Sequence, residues 1–366
     1  MDLPVMPPVR PMLAKSVAGV PDPGKHGGLS FEPKWDGFRC LVFRDGDEVE
    51  LTSRNTKPLT RYFPEVVAAI LEQLPERCVL DGEVFVAADG RLQFETLQER
   101  IHPAASRVRM LSEETPAGFV AFDLLALGDT SFVDRPFAER RAALAEALGD
   151  LGTEGPCYLT RTTTEQAEAQ RWFEQFEGAG LDGVVAKPLD APYVENGRTM
   201  LKIKHVRTAD VVVAGYREHK TSTPERPLLG SLLLGLHAGG SLQHVGVSAS
   251  FTEARRAELL AELQPLVCPI EEHPWSAWAG DAVANPDRVP GTQSRWSVGK
   301  DLSFTPLRPE RVLEVKYDHM EGRRFRHTAH FLRWRPDRDA ASCGYEQLEE
   351  PVSYDLGTVL SGGRDD

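Results

Sequence analysis

The order of apolar and polar residues divides the first two hundred positions into short strands and helices. Apolar or alternating runs predict strands at residues 38–43 and 49–52, and Asp45-Gly46 between them is typical of a hairpin turn. Apolar residues at helical spacing, two of the runs beginning near a proline, predict helices at 64–74, 136–148 and 164–176. Further runs rich in Val, Phe and Leu predict strands at 78–86, 118–127 and 183–187. This mixed order favours an α+β fold, with mainly antiparallel sheets and flanking helices.

The pattern changes after His205, where short strands separated by Gly and Pro turns replace the helices. Strands are predicted at 211–216, 231–236, 243–247, 311–317 and 325–334, with one helix at 252–263. Five strands and one helix are typical of a small Greek-key β-barrel such as the oligonucleotide-binding (OB) fold. The sequence therefore predicts a first domain at 1–206, a barrel domain at 207–345, a loop at 272–291 and a loosely ordered tail at 346–366.

Composition excludes several classes of protein. A charged fraction of 27% in 366 residues, with no long apolar run, argues against a membrane or fibrous protein. The proline-rich first 13 residues do not resemble a signal peptide, which predicts a cytoplasmic location. Five widely spaced cysteines without a Cys-x-x-Cys pair predict buried thiols rather than disulfides or a zinc site.

The net charge of -13 by itself argues against a nucleic-acid partner, but two segments of the chain are locally basic. Residues 198–220 hold six basic and two acidic side chains, and residues 323–338 hold six basic and one acidic. Each run fits either an ordinary solvated surface or a phosphate-binding surface, and charge alone does not separate the two.

The segment Glu32-Pro33-Lys34-Trp35-Asp36-Gly37 places a lysine in a turn between two strands. A lysine amine becomes a nucleophile only when it is deprotonated, which burial or neighbouring cations favour. A surface lysine in an acidic turn explains these residues equally well when they are taken alone.

This segment resembles motif I of the covalent nucleotidyltransferases, which comprise ATP-dependent DNA ligases, RNA ligases and mRNA capping enzymes. The other motifs of that superfamily follow in the same order, so the resemblance extends from about Phe31 to Arg338. They are Thr52-Ser53-Arg54-Asn55 (Ia), Leu80-Asp81-Gly82-Glu83-Val84 (III), Phe119-Val120-Ala121-Phe122-Asp123 (IIIa), Asp182-Gly183-Val184-Val185-Ala186-Lys187 (IV), Leu201-Lys202-Ile203-Lys204 (V) and Arg335-Pro336-Asp337-Arg338 (VI).

The resemblance implies a role for each matching side chain in binding ATP and forming a lysyl adenylate. Taken alone, Phe122 is a core residue, and Glu32 and Glu83 are surface carboxylates at strand edges. The two motif V lysines, taken alone, form one polar face of a strand. The implied roles are the nucleophile (Lys34), the adenine amine acceptor (Glu32), ribose contacts (Arg39, Glu83), adenine stacking (Phe122 opposite Val185), nucleotide binding in motif Ia (Arg54) and triphosphate binding (Lys202, Lys204).

The resemblance also implies a divalent cation and a second catalytic group. Glu83 and Asp182 are the implied ligands of Mg²⁺, for which Mn²⁺ can substitute, although Asp182 also suits a turn and many relatives have Glu there. In motif VI, Arg335, Asp337 and Arg338 are implied to align the pyrophosphate leaving group. Since that motif lies in the second domain, the resemblance implies a hinge near His205.

Within the superfamily, the chain is most similar to compact two-domain bacterial DNA ligases of the ligase C type. The resemblance implies sealing of nicked double-stranded DNA in repair, by a monomer associated with the nucleoid, alongside repair proteins such as a primase-polymerase. One departure lies at Val245-Gly246-Val247-Ser248-Ala249-Ser250-Phe251, where relatives usually have Val-Gly-Thr-Gly-Phe. An RNA ligase, a capping-type enzyme and a catalytically silent DNA-end-binding module are the alternatives.

Overall fold

A computed structural model describes residues 1–149, 151, 155–276 and 303–361 of the chain. The chain forms two compact units: Met1–Lys204 together with Pro351–Asp366, and His205–Glu350. The second unit is therefore an insertion in the sequence of the first. Within the described ranges, no helix has both the length and the apolar character needed to cross a bilayer.

The first unit contains every helix and strand that the pattern predicted within it, along with several that the pattern did not indicate. Its helices are α1 (Pro64–Gln73), α2 (Phe94–Glu99), α3 (Ala105–Glu114), α4 (Phe137–Leu148) and α5 (Gln166–Gln175). Its strands are β1 (Ala14–Val17), β2 (Leu29–Pro33), β3 (Phe38–Asp45), β4 (Glu48–Ser53), β5 (Arg77–Ala88), β6 (Arg91–Leu92), β7 (Ala117–Leu127), β8 (Thr130–Ser131), β9 (Cys157–Leu159), β10 (Val184–Pro188) and β11 (Met200–Ile203).

The larger sheet of this unit is mainly antiparallel, as the sequence predicts. Its main strand order is β4-β3-β5-β7-β8, with β6 paired to β5 and β9 parallel to β7. The inner strand β7 is buried over nearly its whole length. Helix α1 begins at a proline and buries Val66, Ala69 and Ile70, one apolar face at helical spacing, in the core beside this sheet.

A smaller sheet has the order β1-β11-β10-β2. Strand β2 is buried at all five positions, including its two polar residues, Ser30 and Glu32. Its neighbour β10 pairs antiparallel with both β2 and β11. This sheet carries motifs IV and V and leads directly into Lys34.

The second unit is built on a five-stranded antiparallel sheet with the order β14-β13-β12-β15-β18. An isolated bridge from Ser248 to Ala329 joins the two ends of the sheet, in agreement with the predicted barrel. The predicted strand at 325–334 is divided into two. The elements are β12 (Arg207–Glu218), β13 (Leu229–Ala238), β14 (Ser241–Ser248), α6 (Glu253–Leu263), β15 (Thr305–Tyr317), β16 (Met320–Glu321), β17 (Arg324–Phe325) and β18 (His330–Trp334).

The predicted loop at 272–291 lies outside the described residues from 277 onward. Its first residues include the buried side chains of His273 and Trp275. The Trp275 indole donates a hydrogen bond to the carbonyl of Leu242, at 2.8 Å, and so joins this segment to the barrel core.

Of the segment that the sequence predicts as a loosely ordered tail, residues 346–350 belong to the second unit and residues 351–361 pack in the first unit. A short helix, α7 (Leu356–Leu360), buries Leu356 and Val359 in the same core cluster as Trp172 and Phe176. The amide of Leu356 donates to the carbonyl of Gly90 at 2.8 Å. We call residues 351–361 the C-terminal strap. The sequence prediction missed it because only two apolar residues in this short segment are buried.

Candidate active site

Three residues singled out by the sequence form a row across the smaller sheet. Val185 on β10 lies directly opposite Glu32 on β2 and, on its other side, opposite Lys202 on β11. Directly opposed residues project from the same face of a sheet. A carboxylate, an apolar contact and an ammonium group therefore follow one another across a single surface.

Lys34 lies in the connection between β2 and β3, as predicted. Its amide donates to the carbonyl of Gly183 at 2.8 Å, and its carbonyl accepts from the amide of Asp182 at 2.9 Å. Gly183 has φ +116, and a Cβ there would lie 2.0 Å from the carbonyl oxygen of Ile203. These contacts explain why glycine follows Asp182 and how motifs I and IV meet.

The Lys34 side chain ends beside the carboxylate of Asp182. Its Nζ lies 2.6 Å from Oδ2 of Asp182, and Nζ of Lys204 lies 2.8 Å from the same oxygen. Burial raises the pKa of Asp182, but the two ammonium groups outweigh burial and hold that pKa below its usual range. Asp182 is therefore an anion that holds the lysines of motifs I and V together.

Positive charge accumulates around this carboxylate. The pKa of Lys202 is lowered by partial burial and by the nearby Lys204, Lys34 and Arg54, against the opposite effect of Asp182. Arg54 is exposed in the turn after β4, where motif Ia was expected to contribute to nucleotide binding. The two lysines on Asp182, with Lys202 close to them and Arg54 close to Lys202, make a region that attracts a polyanion such as a triphosphate.

Arg39 and Glu83 are cross-strand neighbours on β3 and β5. Arg39 donates through Nε and Nη2 to the two oxygens of the buried Asp81, each at 2.5 Å, and Tyr193 donates to the same carboxylate at 2.7 Å. Burial raises the pKa of Glu83 to about 8, despite the opposing effects of Arg39 and Lys34. The sequence prediction did not include Asp81 and Tyr193 as the residues that orient Arg39.

Phe122 is the extra residue of a β-bulge on β7. Asp81 pairs with Asp123 and Gly82 pairs with Ala121, so Phe122 has no direct partner on β5. A bulge changes the direction of a side chain, and period-2 reasoning does not reveal it. The ring is 5% exposed, and the Arg39 guanidinium and the Lys187 ammonium lie 4.6 and 4.7 Å from its centroid. An adenine stacked here would compete with these cations for the ring.

Glu32 is paired with Lys187, a residue that the sequence prediction quoted in motif IV but assigned no role. Nζ of Lys187 lies 3.0 Å from Oε1 of Glu32, and both side chains are nearly inaccessible to solvent. Among the described residues, no group donates a hydrogen bond to Oε2 of Glu32. A buried carboxylate oxygen without a donor fits the exocyclic amine of an adenine. Lys187 follows Val185 by two positions, and this spacing was the available signal that it shares its face.

The motif VI residues cluster around one carboxylate in the second unit. Nη1 of Arg335 donates to both oxygens of Asp210 at 3.0 Å, and Nε of Arg338 lies 3.6 Å from Oδ2 of Asp210. Arg335 also donates to Asp337, which lowers the pKa of Asp337 to about 2. Asp210, which the sequence prediction did not include, therefore orients both arginines.

The described residues contain no group of three or more His, Cys, Asp or Glu side chains that could hold a metal ion. Two of the carboxylates near Lys34, Asp182 and Glu83, nevertheless offer hard oxygen donors. Mg²⁺ is often bound by one or two carboxylates together with substrate phosphates, so this pair fits a cation delivered with a nucleotide. All five cysteines are buried and unpaired.

The fold and this arrangement of lysines and carboxylates define a covalent nucleotidyltransferase, and comparison with known families agrees. Residues 11–204 match the ATP dependent DNA ligase domain, and residues 225–338 match the ATP dependent DNA ligase C terminal region. The chain belongs to the ATP-dependent DNA ligase family, whose members use ATP and a divalent metal such as Mg²⁺ and bind nicked DNA. The predicted combination of an adenylation domain and an OB-fold domain is confirmed.

Within the family, the chain is similar to bacterial DNA ligases of the C type. It is 58% identical to DNA ligase C of Mycobacterium tuberculosis over the full length of both chains. It is 61% identical to DNA ligase C2 of Mycolicibacterium smegmatis, over 96% of this chain and 97% of that protein. A solved structure of a Lig E DNA ligase has a TM-score of 0.53 at 17% identity, covering 89% of this chain and 99% of that one, and supports the fold.

Proposed function

We propose that this ligase seals nicks between 3′-hydroxyl and 5′-phosphate ends of double-stranded DNA through a lysyl adenylate at Lys34. The observation that carries the proposal is the placement of Lys34 beside Asp182, Lys202 and Lys204. The Lys34 amine attacks the α-phosphate of ATP, a nitrogen–phosphorus bond forms and pyrophosphate leaves. AMP then passes to the 5′-phosphate at the nick, and the 3′-hydroxyl displaces AMP to close the strand.

Each nucleotide-binding residue takes a role that its position supports. Oε2 of Glu32 accepts from the adenine amine, while Phe122 and Val185 contact the two faces of the base. The ribose hydroxyls are bound by Glu83 and by Arg39, which Asp81 orients. The phosphates are bound by three cations: Arg54, Lys202 and Lys204.

We propose Glu83 and Asp182 as the residues that would hold the divalent metal. The metal would neutralise the negative charge that develops on the phosphates during adenylyl transfer. In the chain alone, Asp182 is occupied by Lys34 and Lys204. A triphosphate with its metal would provide these lysines with new anionic partners.

The first experiment tests the covalent intermediate. The protein is incubated with radiolabelled ATP, GTP or NAD and Mg²⁺, denatured, and assayed for retained label, alongside Lys34→Ala and the exposed-lysine control Lys25→Ala. We expect label from ATP only, lost in Lys34→Ala and retained in Lys25→Ala. Label from GTP would favour a capping-type enzyme, and no label from any nucleotide would favour a DNA-end-binding module. Nicked DNA and nicked RNA substrates then separate a DNA ligase from an RNA ligase.

We further propose that Arg335, Asp337 and Arg338 act in the adenylylation step, where arginines would align the departing pyrophosphate. Arg335→Ala should lower self-adenylylation by about a hundredfold or more. It should leave sealing of a nick that already carries the 5′-adenylate much less affected. Equal losses in both assays would contradict a role confined to the first step.

The biological setting is also a proposal. The resemblance favours a role in DNA repair. The protein would act as a cytoplasmic, nucleoid-associated monomer, together with repair proteins such as a primase-polymerase. Co-purification of the intact protein with such a polymerase would test the partnership, and its absence would contradict it.

A further inference from the structure

The charged groups behind Phe122 form a buried chain. Arg140 binds Asp123 through Nε at 2.7 Å and through Nη2 at 3.1 Å. Lys187 lies 3.9 Å from Asp123 but 3.0 Å from Glu32. Since Arg140 already occupies both oxygens of Asp123, Lys187 is left as the close partner of Glu32.

Lys187 is also fixed in position by its other contacts. Its ammonium group donates to the carbonyl of Phe122 at 2.9 Å. It lies 4.7 Å from the ring centroids of both Phe122 and Phe137. One cation therefore connects the residue expected to accept from the adenine amine with the residue expected to stack on the base.

We propose that Lys187 is a positioning residue that favours the ionised form of Glu32 and so sets the preference of this ligase for adenine. The inference rests on the proposed role of Glu32 in ATP binding. An ionised carboxylate only accepts hydrogen bonds, which suits the adenine amine, whereas a protonated carboxyl can donate to the carbonyl of hypoxanthine or guanine.

The surroundings of Glu32 make Lys187 the main source of this effect. Burial raises the pKa of Glu32, Lys187 lowers it through charge and hydrogen bonding, Asp123 raises it and Arg141 lowers it, with a net increase. Removal of the ammonium group would remove the largest effect that opposes burial and leave the smaller effect of Arg141. Glu32 would then remain protonated to a higher pH.

The test measures the rate of Lys34 adenylylation from about pH 5.5 to about pH 9 in Lys187→Met, Lys187→Arg and the exposed-lysine control Lys25→Met. In Lys187→Met, the fall in rate on the acid side should move up by about one pH unit or more. The ratio of kcat/KM for ATP to that for inosine triphosphate should fall at least about tenfold. Lys187→Arg keeps the charge and should restore both quantities.

A Glu32→Gln variant gives the decisive comparison, because it cannot ionise at this position. Adding Lys187→Met to Glu32→Gln should produce no further pH shift. If Lys187→Met does not fold, as judged by circular dichroism, Lys187→Gln retains a donor for the Phe122 carbonyl and removes only the charge.

A loss of the same factor at every pH, with an unchanged ATP preference, would overturn the proposal and leave Lys187 a packing role. That result differs from failure of the proposed function, in which the wild-type protein itself would take up no label from ATP.

Discussion

At the scale of single residues, the site is organised by carboxylates that each accept from two side chains, at least one of them a cation. Asp182 holds Lys34 and Lys204, and Asp81 holds Arg39 while accepting from Tyr193. Shared anions of this kind fix long side chains whose rotamer freedom is otherwise costly to lose. The cations are therefore in place before a nucleotide arrives.

Gly37 is a residue at which a single methyl group should disturb the nucleophile. A Cβ at this position would lie 2.2 Å from the carbonyl oxygen of Val84, so Gly37→Ala requires the backbone beside Lys34 to move. We expect a loss of about 1–3 kcal/mol of stability, together with reduced self-adenylylation. Urea unfolding and the labelling assay measure the two effects. Gly19→Ala is the control, because a Cβ there meets nothing within 4 Å; equal behaviour of the two variants would contradict the prediction.

His244 should make the second unit sensitive to acid. It is buried, and its Nδ1 accepts from Arg324 at 3.0 Å. Burial, Arg324 and Arg217 lower its pKa well below 6.5, so the folded state binds fewer protons than the unfolded state once the pH falls below about 6.5. Stability from this group is present above that pH and is lost as the pH falls, by up to about 1.4 kcal/mol per pH unit.

Urea unfolding at about pH 7 and about pH 5 tests this expectation. His244→Gln should lose less stability between the two values than the wild-type protein does. The exposed His330→Gln should behave like wild type. An unchanged pH dependence in His244→Gln would show that other groups control the acid response.

Sequence motifs predicted the residues that line the site better than the residues that support them. The motifs have recognisable neighbours and so could be found in the sequence, and the structure brings their side chains together: Lys34, Glu32, Val185, Lys202 and Asp182. The supporting residues, such as Tyr193 and Asp210, act through long-range contacts that a linear pattern does not contain. For the same reason the bulge at Phe122 was not predicted, because it depends on the register between β5 and β7.

At the scale of elements, amphipathic helices and hairpin strands were predicted within a few residues of their bounds. Helix α1 was expected at 64–74 and spans Pro64–Gln73. The strand before Lys34, β2, was inferred from the turn but given no bounds. The four-residue strand β1 was missed, because Ala14-Lys15-Ser16-Val17 shows neither alternation nor an apolar run. Their pairing partners lie far away in sequence, and only the assembled sheet defines them.

The C-terminal strap should contribute to the stability of the first unit. Val359 is 1% exposed, whereas Val352 in the same strap is 83% exposed, which gives a matched pair of valines. Val359→Ala should cost about 1–3 kcal/mol through lost burial and an unfilled cavity, and Val352→Ala less than about 0.5 kcal/mol. Chemical denaturation followed by circular dichroism measures both. A Val359→Ala protein as stable as Val352→Ala would show that the strap is not held by this contact.

At the scale of the whole molecule, a net charge of -13 coexists with the basic segment 323–338. If nicked DNA lies against this segment, its affinity should fall steeply with salt, because phosphate contacts release counterions. Arg323→Ala, at an exposed position of the segment, should reduce the slope of log K against log salt by about one. The exposed Arg109→Ala, outside both basic segments, should leave it unchanged. A flat response in the wild-type protein would refute binding through these arginines.

The insertion of the second unit into the first has a consequence for synthesis of the chain. Strap residues Leu356 and Val359 join the core of Trp172 and Phe176, yet the ribosome makes them only after the whole of His205–Glu350. Because chains emerge with the N-terminal part first, the apolar surface of the nascent first domain that the strap covers stays exposed until residues 351–361 have been made. The inserted domain has a core of its own and can form during this interval. Residues made after the inserted domain therefore complete the domain that began first.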